Sequence, residues 1–404
     1  MTTIQRPITF FLIFATMMVL GGIQNTKGII LDQVQHDISL DLGQVGVMVS
    51  VFQVGFLLAS LVAGFLADRR GIKIVMLTGT TLMIIGLIGT SAAFDVAFFL
   101  GFYLIVGLGI GTMTVSVATM IPTFFARRAG VVFNVANAFF GIGMIITPLI
   151  LNLMFARHVS WRAFYIGTAV LIAAIMLVLI MFRSPAVTPG RRSDMTLKSV
   201  GRLLSDRQVL LVVLFILFYV ATEAGFLNFF PILYSSLNIP GQTEAQTTAT
   251  AGYVVASFAV LFTIGRFVGG FIIYKLGERR TLIAFSVLSL AALIVGRLLI
   301  HEFAYSMMVF GFTMSVLFPT AQGLGSKLTT KFGTLQGMIY VASGVGGAIV
   351  GVVIGQVSKA VGIQLGFNLL IIFLLLVCAA AFLIKPPVDG PTRTSQIVDE
   401  AVHE

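Results

Sequence analysis

Gly64-Phe65-Leu66-Ala67-Asp68-Arg69-Arg70-Gly71-Ile72-Lys73 closes one long apolar run and opens the next. A weaker copy, Gly270-Phe271-Ile272-Ile273-Tyr274-Lys275-Leu276-Gly277-Glu278-Arg279, lies 206 residues downstream. Glycine recurs at Gly64/Gly270 and Gly71/Gly277, phenylalanine at Phe65/Phe271, and a basic residue at Arg69/Lys275 and Lys73/Arg279. Self-similarity at a fixed spacing is the mark of a duplicated unit. The two copies follow the second and eighth apolar runs, so they predict two equivalent halves of six runs each.

Roughly 20 apolar residues cross the hydrocarbon core of a bilayer as a helix. Working outward from the two copies gives twelve such runs, at about 8–31, 42–66, 74–93, 96–124, 130–155, 163–182, 208–235, 250–273, 281–300, 303–326, 334–357 and 363–384. They are unbroken, unlike the alternating segments of about ten residues in a membrane β-barrel. The fold class is therefore an all-α membrane protein with twelve transmembrane helices. The longest polar stretch, Arg183–Arg207 with Pro185, Pro189 and Gly190, divides the chain. The expected plan is an N-terminal half at 1–182, a linker at 183–207, a C-terminal half at 208–385 and a tail at 386–404. The first run is too long for a secretion signal and is interrupted by Gln24, Asn25 and Lys27.

Of the 404 residues, 58% are hydrophobic and 10% charged, against about 25% charged in a soluble domain. This excludes a soluble enzyme and a disordered chain. The single cysteine, Cys378, cannot form an internal disulfide, and His36, His158, His301 and His403 have no metal-ligand spacing. No nucleotide loop, catalytic triad or metal cluster is visible, so no cofactor is expected. The net charge of +10 follows from topology. Of 25 lysines and arginines, 19 fall on the side of the membrane that holds both termini and three on the other. The positive-inside rule makes the first side cytoplasmic, beside anionic lipid, with no call for nucleic acid.

The quoted segment resembles the signature of the major facilitator superfamily, and its copy does so more weakly. Further stretches are similar to the fucose–proton symporter family: Tyr219-Val220-Ala221-Thr222-Glu223, Ile264-Gly265-Arg266-Phe267-Val268-Gly269, Phe318-Pro319-Thr320-Ala321-Gln322-Gly323-Leu324-Gly325, and Phe133-Asn134-Val135-Ala136-Asn137. The resemblance implies a two-half transporter, a sugar-like substrate, and a gating role for Gly64, Asp68, Arg69 and Gly71. The chain departs from the pattern where the family has carboxylates in spans one and four. Gly28 and Thr112 stand there, and Tyr103 replaces a common arginine. Coupling cannot be copied from the family.

Among 15 carboxylates only Glu223 stands at mid-run, in 208–235. An acid there is costly unless it faces a watery cavity or carries a proton, which makes it the proton-coupling candidate. Tyr219 lies one helical turn before it, on the same face. Amides both donate to and accept from hydroxyl groups. Gln24, Asn25, Asn137, Asn228 and Gln336 therefore join Tyr219 as substrate-binding candidates, with interhelical hydrogen bonding as their alternative use. Lys27 and Arg266 form a possible anion site, although Arg266 can equally brace a helix. Glycines at Gly141-x-Gly143 and Gly344-x-Gly346-Gly347 suit close helix packing.

The sequence reads as a monomeric secondary transporter of the bacterial inner membrane, moving a small polar solute by alternating access with a proton. A sugar is the leading substrate. An organic anion held by Lys27 and Arg266, or an amphipathic drug, are the rivals. A membrane-embedded enzyme would need a clustered acid, base or metal site, and a receptor a sizeable soluble domain.

Overall fold

The computed structural model describes residues 5–24, 42–181, 197–237 and 239–385, with Ile30, Gln33, Val34, Asp37 and Ile38 between the first two blocks. Helices account for all of the regular structure among them. They run as α1 (Gln5–Gln24), α2 (Leu42–Arg70), α3 (Ile72–Ser91), α4 (Val96–Phe125), α5 (Ala129–Ala156), α6 (Trp161–Met181), α7 (Arg207–Ser236), α8 (Glu244–Leu276), α9 (Glu278–Leu298), α10 (in two pieces, Met308–Ser315 and Leu317–Gly325), α11 (Phe332–Val361) and α12 (Ile363–Leu383). A short helix, Leu197–Leu204, precedes α7. Among the described residues, eleven stretches are long and apolar enough to cross a membrane. One of them, Val96–Ala156, contains both α4 and α5, joined through the 3-10 turn Ala126–Arg128, which gives twelve spans.

Two apolar cores reflect the duplication. One draws on residues between Leu12 and Leu179, the other on residues between Val209 and Ile384. Tyr340 borders both. Across the interface α2 packs on α11 and α5 on α8. Large apolar side chains such as Leu58, Val170, Leu177, Phe271 and Val352 remain exposed on the perimeter, as a surface facing lipid requires.

The repeat holds at the level of backbone geometry. Gly71 and Gly277 have φ of 91° and 79°, a region open to glycine but strained for other residues. The Gly71 N–H donates to Ala67 O at 3.1 Å and the Gly277 N–H to Ile273 O at 2.8 Å, and these acceptors are also 206 residues apart. Lys73 Nζ donates to Ile180 O at 2.7 Å. Its counterpart Arg279 donates through Nε to Ile384 O at 3.1 Å. Each repeated basic residue thus sits at the carboxyl end of the last helix of its own half, where free carbonyls favour a cation.

The structure corrects the sequence reading at the end of α2, at the ends of α8, which starts at Glu244 and ends at Leu276, and within the tenth span. The charges Asp68, Arg69 and Arg70 do not lie in a loop: α2 continues to Arg70 and only Gly71 breaks the helix. Apolar counting stops at the first charge, whereas a helix continues as long as its backbone bonds are met. The tenth span is not one helix. It is a 3-10 turn, Ala304–Met307, followed by Met308–Ser315 and Leu317–Gly325, here α10a and α10b. Pro319 accounts for the break, because its ring crowds the carbonyl four residues back, at Ser315. The end of the bundle that holds Gln5 and Lys385 is called the terminal face below, and the other end the distal face.

Candidate functional site

Arg266 lies on α8 ten residues before Leu276, about 15 Å into the bundle at 1.5 Å per residue. It is 7% exposed. The small residues around it let neighbouring helices close in. A β-carbon on Gly265 would fall 2.2 Å from Ser315 Oγ, and one on Gly269 would fall 2.6 Å from Asn134 Oδ1. Arg266 reaches across the interface and donates through Nη1 to Asn137 O on α5 at 3.3 Å. Its Cζ stands 4.3 Å from the centre of the Phe262 ring, a favourable cation–π arrangement. Nε of Arg266 has no hydrogen-bond partner among the described residues.

Tyr219 and Glu223 approach the same guanidinium from α7, and both interact electrostatically with Arg266 and with each other. Tyr219 is fully buried, with its ring 5.9 Å from Phe318 and its hydroxyl directed to Glu223 and Arg266. Gln322 on α10b completes the cluster. Its Nε2 donates to Gln336 Oε1 at 2.9 Å and to Tyr340 Oη at 3.2 Å. Its Oε1 is buried and unpartnered among the described residues. Tyr340 packs edge-on against Phe56 of the other half, with centroids 6.2 Å apart. Buried polar atoms are nearly always satisfied in folded proteins. Two that are unsatisfied among the described residues, Arg266 Nε and Gln322 Oε1, in a cluster with one carboxylate mark a place built to meet something polar.

The predicted residues divide accordingly. Tyr219, Glu223 and Arg266 come together, with the backbone carbonyl of Asn137. The Asn137 side chain is occupied within its own helix, donating from Nδ2 to Phe133 O at 2.9 Å. Gln336 is fully buried and both ends of its amide are used: Oε1 accepts from Gln322 and Nε2 donates to Ser326 Oγ at 3.3 Å. Asn228 is exposed and, nine residues from Tyr219, lies half a turn around α7 from it. Gln24 ends α1, about 30 Å along that helix from the terminal face, far from the level of Arg266. Asn25 and Lys27 lie outside the described residues. Gln322, Tyr340 and Asn134 were not singled out as candidates. Asn134 donates from Nδ2 to Gly130 O at 2.9 Å and points a buried, unpartnered Oδ1 at Gly269. A polar side chain in a span crowded with glycines was the available signal for Gln322.

The second assembly lies at the terminal face. Asp68 Oδ1 accepts from the Gly333 N–H at 2.9 Å, and Oδ2 from the Thr334 N–H and Oγ1, both at 2.7 Å. The carboxylate of one half therefore caps the first turn of α11 in the other. Unpaired N–H groups and the positive end of the helix dipole both favour an anion there. Gly64 explains how the helices come so close, since a β-carbon on it would fall 2.3 Å from Gly333 O. Gly337 similarly meets Ser60 O. Arg69 and Arg70 point outward and are exposed. Among the described residues, Gly351 and Gly355, farther along α11, have no atom within 4 Å of a built β-carbon. The seam is shut at the terminal face.

Twelve helices in two matched halves, with a polar cluster buried between them and a seam shut at one end, define a membrane transporter. The family model described as the Major Facilitator Superfamily matches residues 9–249 and 239–400, and the chain belongs to that superfamily. Among its relatives, the L-fucose-proton symporter of Escherichia coli is 24% identical over 393 residues, covering 88% of each chain. A protein named as a TsgA homolog from Yersinia enterocolitica is 22% identical over 363 residues, covering 88% of this chain and 87% of that one. The fold is similar to the crystal structure of a variant of the E. coli fucose:proton symporter, with a TM-score of 0.79, 21% identity, and coverage of 93% and 98%. It is also similar to the proton:xylose symporter bound to 6-bromo-6-deoxy-D-glucose, with a TM-score of 0.73, 14% identity, and coverage of 95% and 97%.

Proposed function

We propose that the chain is a proton-coupled transporter of a sugar-like polyol, working by alternating access between its halves 1–182 and 208–385. The observation that carries this reading is the buried polar cluster that holds Glu223: Tyr219 Oη lies between Glu223 and Arg266, while Arg266 Nε and Gln322 Oε1 are unsatisfied among the described residues. A polyol offers donors and acceptors on every carbon and can meet both. The named fucose and xylose symporters among its relatives and fold neighbours support the same substrate class. Glu223 takes the proton, because among the described residues it is the only carboxylate at this depth. Tyr219 and Gln322 are assigned to substrate hydroxyls, and Phe318 to the apolar face of the ring. The protein acts as a monomer in a bacterial inner membrane.

A second reading has its own support. Arg266 keeps Nε free, and a carboxylate ligand would satisfy it with a charge-assisted bond. The two readings separate in binding assays on purified protein with panels of sugars and monocarboxylates. Under the polyol reading, Arg266→Gln weakens ligand binding by less than about tenfold, since only one of several hydrogen bonds is lost. Abolished binding of a carboxylate ligand in that variant replaces the sugar reading with the anion reading.

The terminal face is assigned to the cytoplasm from the 19 basic residues on that side. Arg70→Cys in a Cys378→Ala background is therefore expected to resist an impermeant maleimide on intact cells and to react once the membrane is permeabilised. Labelling at full extent on intact cells reverses the orientation.

A further inference from the structure

The Asp68 cap joins α2 to α11. By the pseudo-twofold relation, α8 and α5 form the matching pair, yet the position equivalent to Asp68 is Tyr274, which cannot cap a helix as an anion. The structure places a carboxylate at the matching point by another route. Glu278, the first residue of α9, is 8% exposed. Its Oε1 accepts from the Gly130 N–H, in the first turn of α5 and in the other half, at 3.1 Å. Its Oε2 is ion-paired with Lys327 Nζ, just beyond α10b and in its own half, at 2.9 Å. No side chain fits between the partners: a β-carbon on Gly130 would fall 2.7 Å from Glu278 Oε1, and one on Gly323 would fall 2.5 Å from Gly130 Cα.

We propose that Glu278 is a second latch on the terminal face, joining the halves through the Gly130 N–H, and that Lys327 sets its strength by competing for the same carboxylate. The contact with Gly130 crosses the interface, so it breaks when this face opens. The contact with Lys327 lies within one half, so it persists. A carboxylate with the Gly130 N–H as its one partner would hold that bond at full charge, and breaking it on opening would cost the most. Lys327 remains with Glu278 in both states, offsets its charge and so lowers this cost. The two partners of one carboxylate therefore act in opposite directions. Gly130 holds the closed state, while Lys327 makes it leavable.

Full-length protein carrying Cys378→Ala, Arg127→Cys and Arg280→Cys, spin-labelled and placed in lipid nanodiscs, reports the opening by pulsed dipolar spectroscopy. Both labelled positions are exposed at this face, one in each half. Glu278→Gln is expected to raise the long-distance population about tenfold, the size of one charge-assisted hydrogen bond. Gly130→Ala leaves both charges in place and is expected to raise it as well, so the test stands even if Glu278→Gln does not fold. Lys327→Gln is expected to produce no rise, and to slow transport by keeping the face closed. A rise of similar size in Lys327→Gln overturns the proposal, since an ion pair that merely stabilises the closed face would open with the loss of either partner. Unchanged distances in Glu278→Gln and Gly130→Ala overturn it too.

Discussion

Glu223→Gln is expected to abolish accumulation against a gradient while leaving exchange intact. The substitution keeps the shape of the side chain and its capacity to hydrogen bond, but it fixes the neutral form. Substrate can still enter, meet Tyr219 and Gln322, and cross with the moving halves. Exchange of substrate for substrate does not require the proton to leave, so counterflow in proteoliposomes should run at a rate near that of the parent protein. Net uptake driven by an imposed pH gradient requires the proton to leave on the far side at every turnover. It should fall to the level seen without a gradient, a loss of up to about tenfold in accumulated substrate at a gradient of one pH unit with one proton per substrate. The neighbourhood of Glu223 explains why the effect should be this selective. Arg266 interacts electrostatically with it. The same guanidinium donates to Asn137 O across the interface. Loss or gain of charge at Glu223 therefore changes what Arg266 is drawn towards, and Arg266 spans the halves. Accumulation by Glu223→Gln equal to that of the parent protein would show that the proton is carried elsewhere and that Glu223 is structural.

The twelve spans were legible because a helix in hydrocarbon must be apolar on nearly every face, and such runs need no partner to be recognised. The duplication was legible for a different reason: Gly71 and Gly277 serve a backbone conformation that other residues adopt only with strain, so the pattern survives at the two turns. The ends of α2 and α8 were not legible, because their last turns carry charges into a solvated face where hydropathy no longer reports on helicity. Tyr219 and Glu223 were correctly paired by the spacing of one turn, a local property. Asn228 shows the limit of that reasoning, since a polar residue in a span carries no label for the face it occupies, and here it lies opposite Tyr219. Gln336 shows a second limit. An amide in a span can equally be consumed by its neighbours, and both ends of this one are. The Arg266–Asn137 and Glu278–Gly130 contacts link residues more than 120 positions apart, and nothing local announces them.

Asp68→Asn tests a contact between residues 265 positions apart in sequence, Asp68 and Gly333. The carboxylate satisfies two backbone N–H groups and one hydroxyl at the start of α11, at 2.7–2.9 Å. An asparagine keeps one oxygen acceptor and turns an amino group towards the remaining donors. It loses its charge at the helix terminus and leaves at least one N–H unpaired in the interface. Charge-assisted hydrogen bonds contribute about 1.5–3 kcal/mol each, so the closed terminal face should lose on the order of ten- to a hundredfold in population relative to the open one. Transport needs both states, and a shift of that size should lower the uptake rate by about tenfold or more while the protein still reaches the membrane. The same shift is readable without substrate. Ser60 is fully buried in the seam, where its carbonyl meets Gly337. Ser60→Cys in a Cys378→Ala background should react slowly with a water-soluble thiosulfonate, and adding Asp68→Asn should speed that reaction in proportion to the open population. Normal uptake together with an unchanged Ser60→Cys reaction rate would show that the Asp68 cap contributes to topology and helix stability but not to gating.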